Sequence, residues 1–143
     1  MRVLIDTCVV IDDLQNREPF YENARIIVDA IAKGSIRGYL TTNSIANIYY
    51  LTHKATHNDK LCRDIVGKLF KIYDIVDTTR IDCKLALLSQ VKDYEDAMLV
   101  EASKRLELNF IITRNIDDFK NSEIIASTPE EFVKYLREHS YIW

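Results

Sequence analysis

The residue most suited to chemistry near the start of this sequence is Asp6, which stands inside an apolar run. Val3, Leu4 and Ile5 precede it, and Thr7 and then a further apolar stretch follow. An isolated carboxylate is costly to bury, so Asp6 needs a cation or a hydrogen bond. We predict that it ends a central strand and holds a metal ion; a structural hydrogen bond is the alternative.

Three other segments combine acids, amides and hydroxyls at short spacing. Asp93, Glu95 and Asp96 form the most acidic of them, because no basic residue stands between 93 and 101. The remaining two groups are Asn43, Ser44 and Asn47, and Asn115, Asp117 and Asp118. Taken singly, an acid at a helix start such as Asp96 often only complements the helix dipole. Asp117 and Asp118 are also common residue types in turns.

The hydrophobic pattern predicts strands that alternate with helices along the chain. Strands are predicted at residues 2–5, 38–42, 73–79 and 109–113, with a short fifth at 123–127. Helices are predicted at about 9–14, 19–33, 43–54, 58–72, 80–90 and 94–106, with a last one after Thr128. Asn43 or Ser44 is the expected cap of the third helix. The segment from Thr128 to Glu131 has the pattern of a capping box.

This alternation predicts an α/β fold, a three-layer α/β/α sandwich with a mostly parallel central sheet. In open parallel sheets, ligands bind beyond the carboxyl ends of the strands. Asp6 and the three polar groups all follow or flank such ends, so we expect them to project to one edge. Clustered carboxylates repel one another unless a cation lies among them.

Length and composition exclude several other classes of protein. A chain of 143 residues suits one domain with one core, and no apolar run is long enough to span a membrane. The three cysteines, Cys8, Cys62 and Cys83, lack paired spacing and are predicted to be structural. With no targeting leader recognised, an intracellular and cytoplasmic protein is expected.

The charge of the chain is unevenly distributed around a net value of −3. Residues 54–71 contain five Lys or Arg and two acids, in contrast to the acidic segment at 93–101. Such a basic flank suits binding of a polyanion, although a solvated helix face explains it equally well. Tyr49 and Tyr50 are of a type that stacks on bases, with core packing as the alternative.

Four blocks of the sequence together resemble the PIN domain, a family of small metal-dependent nucleases that includes the VapC toxins of bacterial toxin–antitoxin pairs. The blocks are LIDTCVVIDDL, TTNSIANIYYLTHK, DYEDAMLVEASKRLELNFIITRNIDDF and TPEEF. They cover nearly the whole chain, and their order and spacing are more specific than any one block. The resemblance implies a single PIN-like domain over residues 1–143.

By position, the resemblance assigns Asp6, Asp96 and Asp118 as the catalytic and metal-binding acids. It implies Mg²⁺ or Mn²⁺ as the cofactor, because both ions prefer oxygen ligands. Five residues are secondary candidates: Asn47, Asp93, Glu95, Asn115 and Asp117. Four more are candidates for polar support: Thr7, Ser44, Thr113 and Arg114. For Arg114 a role in binding phosphate and a role in a salt bridge both stay open.

One position departs from the family pattern. The helix after the second strand usually carries a Glu, and Asn47 stands at that place. An amide can still ligate through its oxygen but brings no charge, so metal affinity is expected to be lower unless Asp93 or Glu95 compensates. The fold prediction does not depend on this residue.

The function implied by the resemblance is metal-dependent hydrolysis of phosphodiester bonds in single-stranded RNA, by the toxin of a type II toxin–antitoxin pair. The expected partners are RNA, a separate antitoxin protein and, since homodimers are common in the family, a second copy of the chain. Asn47 motivates an alternative: a PIN-like domain with weak or lost catalysis that binds RNA or protein. A phosphatase with an aspartyl nucleophile is a further alternative, but it needs a second Asp at the position of Cys8.

Overall fold

The structure, a computed structural model, describes residues 1–143 and contains five strands that form one parallel sheet. The strands are β1 (Arg2–Ile5), β2 (Arg37–Thr41), β3 (Asp74–Val76), β4 (Phe110–Ile112) and β5 (Ile125–Ser127). Their order across the sheet is β3-β2-β1-β4-β5. The first strand of the chain therefore occupies the centre, which agrees with its continuous apolar sequence.

Seven α-helices connect and cover the strands. They are α1 (Thr7–Leu14), α2 (Tyr21–Ala32), α3 (Thr42–Thr56), α4 (Asp59–Ile72), α5 (Arg80–Ala86), α6 (Tyr94–Arg105) and α7 (Pro129–Glu138). A 3-10 turn at Ile116–Phe119 follows β4. No helix combines the length and hydropathy that a membrane crossing requires.

The side chains of β1 point alternately to the two faces of the sheet, and the core is divided into two parts accordingly. Val3 and Ile5 pack into a cluster with residues of α1, α2, α3, α4 and α7. Leu4, between them, packs into a second cluster with residues of α5 and α6. Because successive side chains of a strand point to opposite faces, the two clusters lie on the two sides of the sheet. The predicted three-layer α/β/α sandwich with a parallel sheet is confirmed.

Several predicted boundaries are corrected by the structure. The cap of α3 is Thr41, whose Oγ1 accepts a hydrogen bond from the Ser44 amide, so neither Asn43 nor Ser44 is the cap. The helix predicted over 80–90 ends at Ala86. Beyond it Leu87 and Leu88 are exposed, so no buried face supports another helical turn. At α7, the capping box between Thr128 and Glu131 is confirmed.

Candidate active site

A cleft of about 500 Å³ opens at the carboxyl edge of the sheet. Residues within three positions of the ends of β1, β2 and β4 line it, because parallel strands bring their carboxyl ends to one edge. Of the sixteen lining residues, five are acids: Asp6, Asp93, Glu95, Asp96 and Asp118. One is basic, Arg17.

Asp6 lies at the junction of β1 and α1, and its carboxylate is held by the neighbouring strand. Its side chain makes no capping hydrogen bond to α1. Instead Oδ2 accepts a hydrogen bond of 2.7 Å from Oγ1 of Thr113, a fully buried residue that directly follows β4. The backbone amide of Asp6 donates to the Ile112 carbonyl at 2.9 Å, which fixes the two strand ends together. Pairing of β1 with β4 is therefore what brings Thr113 to Asp6.

The pKa of Asp6 is raised from its ordinary value because burial penalises the charged form. Hydrogen bonds from Thr113 and Cys8 and the charge of Arg114 oppose this shift without cancelling it. The Cys8 thiol donates to Oδ2 of Asp6 over 3.6 Å. Burial and then the Asp6 charge raise the pKa of Cys8 to about 12, so Cys8 stays a thiol donor at neutral pH.

Asp96 stands in the first turn of α6, where the Asp93 side chain caps the helix. Oδ1 of Asp93 accepts a hydrogen bond of 3.0 Å from the Asp96 amide. The pKa of Asp96 is raised to about 7, first by burial and then by the charges of Asp6, Asp93, Asp118 and Glu95. Charges add to such a shift only when they are close in space. Three segments distant in sequence, at Asp6, at Asp93–Asp96 and at Asp118, thus converge on one electrostatic site.

The donor set of the cleft suits a hydrated divalent cation. Carboxylate and amide oxygens are hard ligands, and the repulsion on Asp96 is what a cation would relieve. No three His, Cys, Asp or Glu side chains form a close-packed ligand cluster. Mg²⁺ needs no such cage, since it commonly binds through one or two carboxylates and keeps several waters.

The candidate residues from the sequence fall into two groups. Nine line the cleft: Asp6, Thr7, Ser44, Asn47, Asp93, Glu95, Asp96, Asn115 and Asp118. Three do not: Thr113, Arg114 and Asp117. Thr113 lies behind Asp6, and Asp117 is exposed on the 3-10 turn. The Ser44 hydroxyl is buried and lies in hydrogen-bonding contact with Oγ1 of Thr41, the cap of α3, at 3.0 Å.

Arg114 forms a salt bridge instead of facing the cleft. Its Nε and Nη2 donate to the two carboxylate oxygens of Asp12 at 2.6 and 3.1 Å. Its guanidinium also lies 4.1 Å from the centre of the Phe20 ring. Asp12 is completely buried. These contacts favour the salt-bridge alternative that the sequence left open for Arg114.

Sequence reasoning missed two features of this cleft. Cys8 packs against the core, in keeping with a structural role, but it also lines the cleft and hydrogen-bonds to Asp6; its place two residues after Asp6 was the available signal. Arg17 was not singled out, although it follows α1 in a short polar segment. Of the two tyrosines, Tyr50 is 64% exposed and lines the cleft, whereas Tyr49 does not.

Comparison with solved structures finds the same fold in several proteins of toxin–antitoxin systems. VapBC2 from Rickettsia felis, bound to a DNA fragment from its promoter, aligns with a TM-score of 0.65 and 12% identity over 90% of this chain and 98% of that chain. FitAcB from Neisseria gonorrhoeae aligns with a TM-score of 0.66 and 17% identity over 90% and 98%. These identities are low, so the likeness is one of fold.

A third structure is VapC20 from Mycobacterium tuberculosis, described as a sarcin-ricin loop cleaving toxin. It aligns with a TM-score of 0.65 and 8% identity over 86% of this chain and 98% of that chain. No curated protein sequence matches the chain. The family model for the PIN domain matches residues 2–117, which include every lining residue of the cleft except Asp118. The chain therefore belongs to the PIN domain family.

Proposed function

We propose that this protein is a metal-dependent endoribonuclease that hydrolyses phosphodiester bonds of single-stranded RNA. The observation that carries the proposal is that Asp6, Asp93, Glu95, Asp96 and Asp118 line one cleft at the carboxyl edge of the sheet. Burial and then the charges of the other four acids raise the pKa of Asp96 to about 7. Carboxylates gathered in this way repel one another, and a bound cation would relieve that repulsion; in a family of nucleases this supports a metal site. A cytoplasmic location is proposed with it, because RNA substrates are found there.

In the proposed site, Asp6, Asp96 and Asp118 hold a Mg²⁺ or Mn²⁺ ion directly or through water. The secondary candidates that line the cleft, Asn47, Asp93, Glu95 and Asn115, contribute oxygen atoms around them. The chemistry that such an ion supplies when bound is Lewis-acid activation of the phosphoryl group and of water. The protein's own side chains orient the acids that would hold the ion.

Those side chains fix the orientation of the acids. Thr113 donates to one oxygen of Asp6 and leaves the other oxygen of the carboxylate free of this bond. The backbone amide of Asn115 donates to Oγ1 of Thr113 at 3.0 Å, so the Thr113 hydroxyl proton is directed to Asp6. Hydrogen bonds of this kind orient metal ligands, and their loss typically lowers metal affinity or activity by about 10- to 100-fold.

The test is cleavage of a labelled single-stranded RNA with Mg²⁺ or Mn²⁺. We expect Asp6→Asn and Asp96→Asn to lose cleavage while circular dichroism shows a folded protein. Asp64→Asn is the matched control, because Asp64 is an exposed acid on α4 outside the cleft, and it should cleave normally. Equal cleavage by Asp6→Asn and the unmodified protein would reject the proposed site.

The proposal extends to a partner: a separate antitoxin protein that restrains the nuclease. It is supported by the fold neighbours, which include VapBC2, FitAcB and a toxin–antitoxin complex from Klebsiella pneumoniae. A short gene directly beside this one, whose product copurifies with the chain and suppresses cleavage, is the expected finding. Sedimentation of the purified chain tests the proposed homodimer.

A second candidate function is an RNA- or protein-binding module with little catalysis. The observation that favours it is that Asn47, which lines the cleft, is an uncharged amide; it stands where the resemblance to the PIN domain implies a Glu. Calorimetric titration with Mn²⁺ separates the two functions. No heat of binding at millimolar Mn²⁺ favours the binding module, whereas binding that Asp6→Asn abolishes favours the nuclease.

A further inference from the structure

Beside its acids, the cleft presents one unpaired cation and one exposed aromatic ring, which belong to Arg17 and Tyr50. We infer that these two residues form a binding strip for the RNA strand, in which the Tyr50 ring stacks on an unpaired base and Arg17 binds a backbone phosphate. This inference rests on the proposed function, because it concerns the substrate of the same site. It adds a reason for selectivity toward single strands.

Tyr50 is exposed although it lies on the third turn of a helix whose other side is buried. Ser44, Ile48 and Thr52 face the interior of the protein. Asn43, Asn47, Tyr50 and Leu51 lie on the adjacent face of the helix, and all four line the cleft together with Ser44. The neighbouring Tyr49 is half-buried and stacks on His53 at a centroid distance of 6.1 Å. Only Tyr50 therefore offers a free ring face to a ligand in the cleft.

Arg17 differs from the other arginines near the site. Arg114 is paired with Asp12, and Arg25 lies 2.8 Å from a carboxylate oxygen of Asp13. Arg17 forms no ion pair; its Nε donates to the neutral Gln15 side chain at 3.1 Å. It is also exposed. An exposed guanidinium without a carboxylate partner keeps its donors available for a phosphate group, which it can bind through two hydrogen bonds.

The spacing along α3 suits a strand of a few nucleotides. Asn43, at the start of the helix, and Tyr50 are seven residues apart, which is about 10 Å along the axis at 1.5 Å per residue. That length is about three times the 3.4 Å axial rise per nucleotide of one stacked strand. A strand that lies along this face of α3 has about one to three nucleotides between Tyr50 and Asn43, depending on how extended it is, and Asn43 lines the same cleft as the acids.

An RNA strand fits this pair of residues better than a protein does. Stacking on an aromatic ring is available to every base but requires the base to be unpaired and accessible. A duplex keeps its bases stacked inside, so Tyr50 cannot engage them. A protein segment would match both residues only if it carried an apolar or aromatic side chain at Tyr50 and a carboxylate at Arg17, whereas every nucleotide of an RNA strand carries both a base and a phosphate. The strip therefore predicts tighter binding of a single strand than of a duplex of equal length.

The experiment measures RNA binding without cleavage, in the full chain carrying Asp96→Asn. The probe is a short fluorescently labelled single-stranded RNA, compared with the same RNA annealed to its complement. Tyr50→Leu is expected to weaken single-strand binding by about 5- to 150-fold, while duplex binding stays the same. Tyr50→Phe keeps the ring and should retain binding. Tyr141→Leu is the control, since Tyr141 is 37% exposed and lies outside the cleft.

Arg17 is tested through the salt dependence of the same binding. Arg17→Gln should reduce the slope of log K against log salt concentration by about 0.7, the value for one phosphate contact on a single strand. Arg137→Gln, at an exposed position of α7 outside both the cleft and the basic segment 54–71, is the control and should leave the slope unchanged. An unchanged slope for Arg17→Gln would remove Arg17 from the strip.

Two results separate this inference from the proposed function. If Tyr50→Leu binds single-stranded RNA as well as Tyr141→Leu does, the stacking role is wrong even when the unmodified protein cleaves RNA. If Tyr50→Leu instead weakens binding of a partner protein and leaves RNA binding intact, Tyr50 belongs to a protein interface. If the unmodified protein does not cleave RNA, the proposed nuclease function is rejected, but the binding strip is not, because RNA binding is measured in a chain that does not need to cleave.

Discussion

Replacing Arg114 by Met should destabilise the protein strongly, because it leaves a buried charge without its partner. Asp12 is completely buried, and both its carboxylate oxygens accept hydrogen bonds from Arg114. Removing one member of a buried ion pair typically costs about 3–5 kcal/mol. The Arg114 side chain is 26% exposed, so water can enter after the change, and we expect the lower end, about 3 kcal/mol.

Urea unfolding followed by circular dichroism measures this loss. At an m value of about 2 kcal/mol per molar, a loss of 3 kcal/mol lowers the midpoint by about 1.5 M. In a thermal scan the same loss corresponds to a decrease of roughly 10 °C for a chain of this size. Met keeps much of the aliphatic volume of Arg, so the change reports mainly on the charge.

Two further variants make the result interpretable. Arg63→Met breaks the exposed pair with Asp59, whose side chains are 74% and 56% exposed, and should cost no more than about 0.5 kcal/mol. The double variant Asp12→Leu with Arg114→Met removes both charges and should lie within about 1 kcal/mol of the unmodified protein. If Arg114→Met lowers the free energy of unfolding no more than Arg63→Met does, the loss of Arg114 does not leave Asp12 as a costly unpaired charge, and the reasoning is refuted.

Two other changes are predicted, one at the candidate site and one in the pH dependence of stability. Thr113→Val removes the hydrogen bond to Oδ2 of Asp6 and should lower the rate of RNA cleavage by about 10- to 100-fold. Thr113→Ser keeps the hydroxyl and should keep the rate of cleavage. Equal cleavage rates for the two variants would contradict the orienting role of Thr113. Burial raises the pKa of Asp82, but hydrogen bonds from Arg105 and Thr79 outweigh it, so the net pKa is lowered. This contribution to the free energy of unfolding is present above the ordinary pKa of about 4 and is lost as pH falls through the lowered value. The urea midpoints of Asp82→Asn and the unmodified protein should therefore differ at pH 7 and converge in acid, and a constant difference would argue against the ion pair.

The sequence was sufficient to predict the layers of the fold because the apolar pattern of a central parallel strand is strong and local. Val3, Leu4 and Ile5 are apolar in succession, and the structure buries them on alternate faces of the sheet. The placement of Asp6 at the carboxyl end of such a strand followed from the same pattern. Boundaries were less predictable: the helix predicted over 80–90 ends at Ala86, and Leu87 and Leu88, which follow it, are largely exposed although they are apolar.

The contacts that could not be predicted join residues far apart in the chain. Asp12 and Arg114 are separated by 102 positions, and no local pattern marks either as the partner of the other. Cys8 was predicted to be structural and does pack against the core, but its second contact, with Asp6 in the cleft, depends on its position in the first turn of α1. Side-chain direction at a strand–helix junction depends on the junction geometry, which composition does not reveal.

The pairing of the first strand with β4 has a consequence for how the protein is made. Asp6 is translated 107 positions before Thr113, whose hydroxyl orients it. The central strand also lacks one of its two neighbours until β4 has left the ribosome. A parallel sheet closed by such distant contacts forms late. A nascent chain therefore carries no assembled site until Thr113 has been translated, and the proposed activity can begin only after that point.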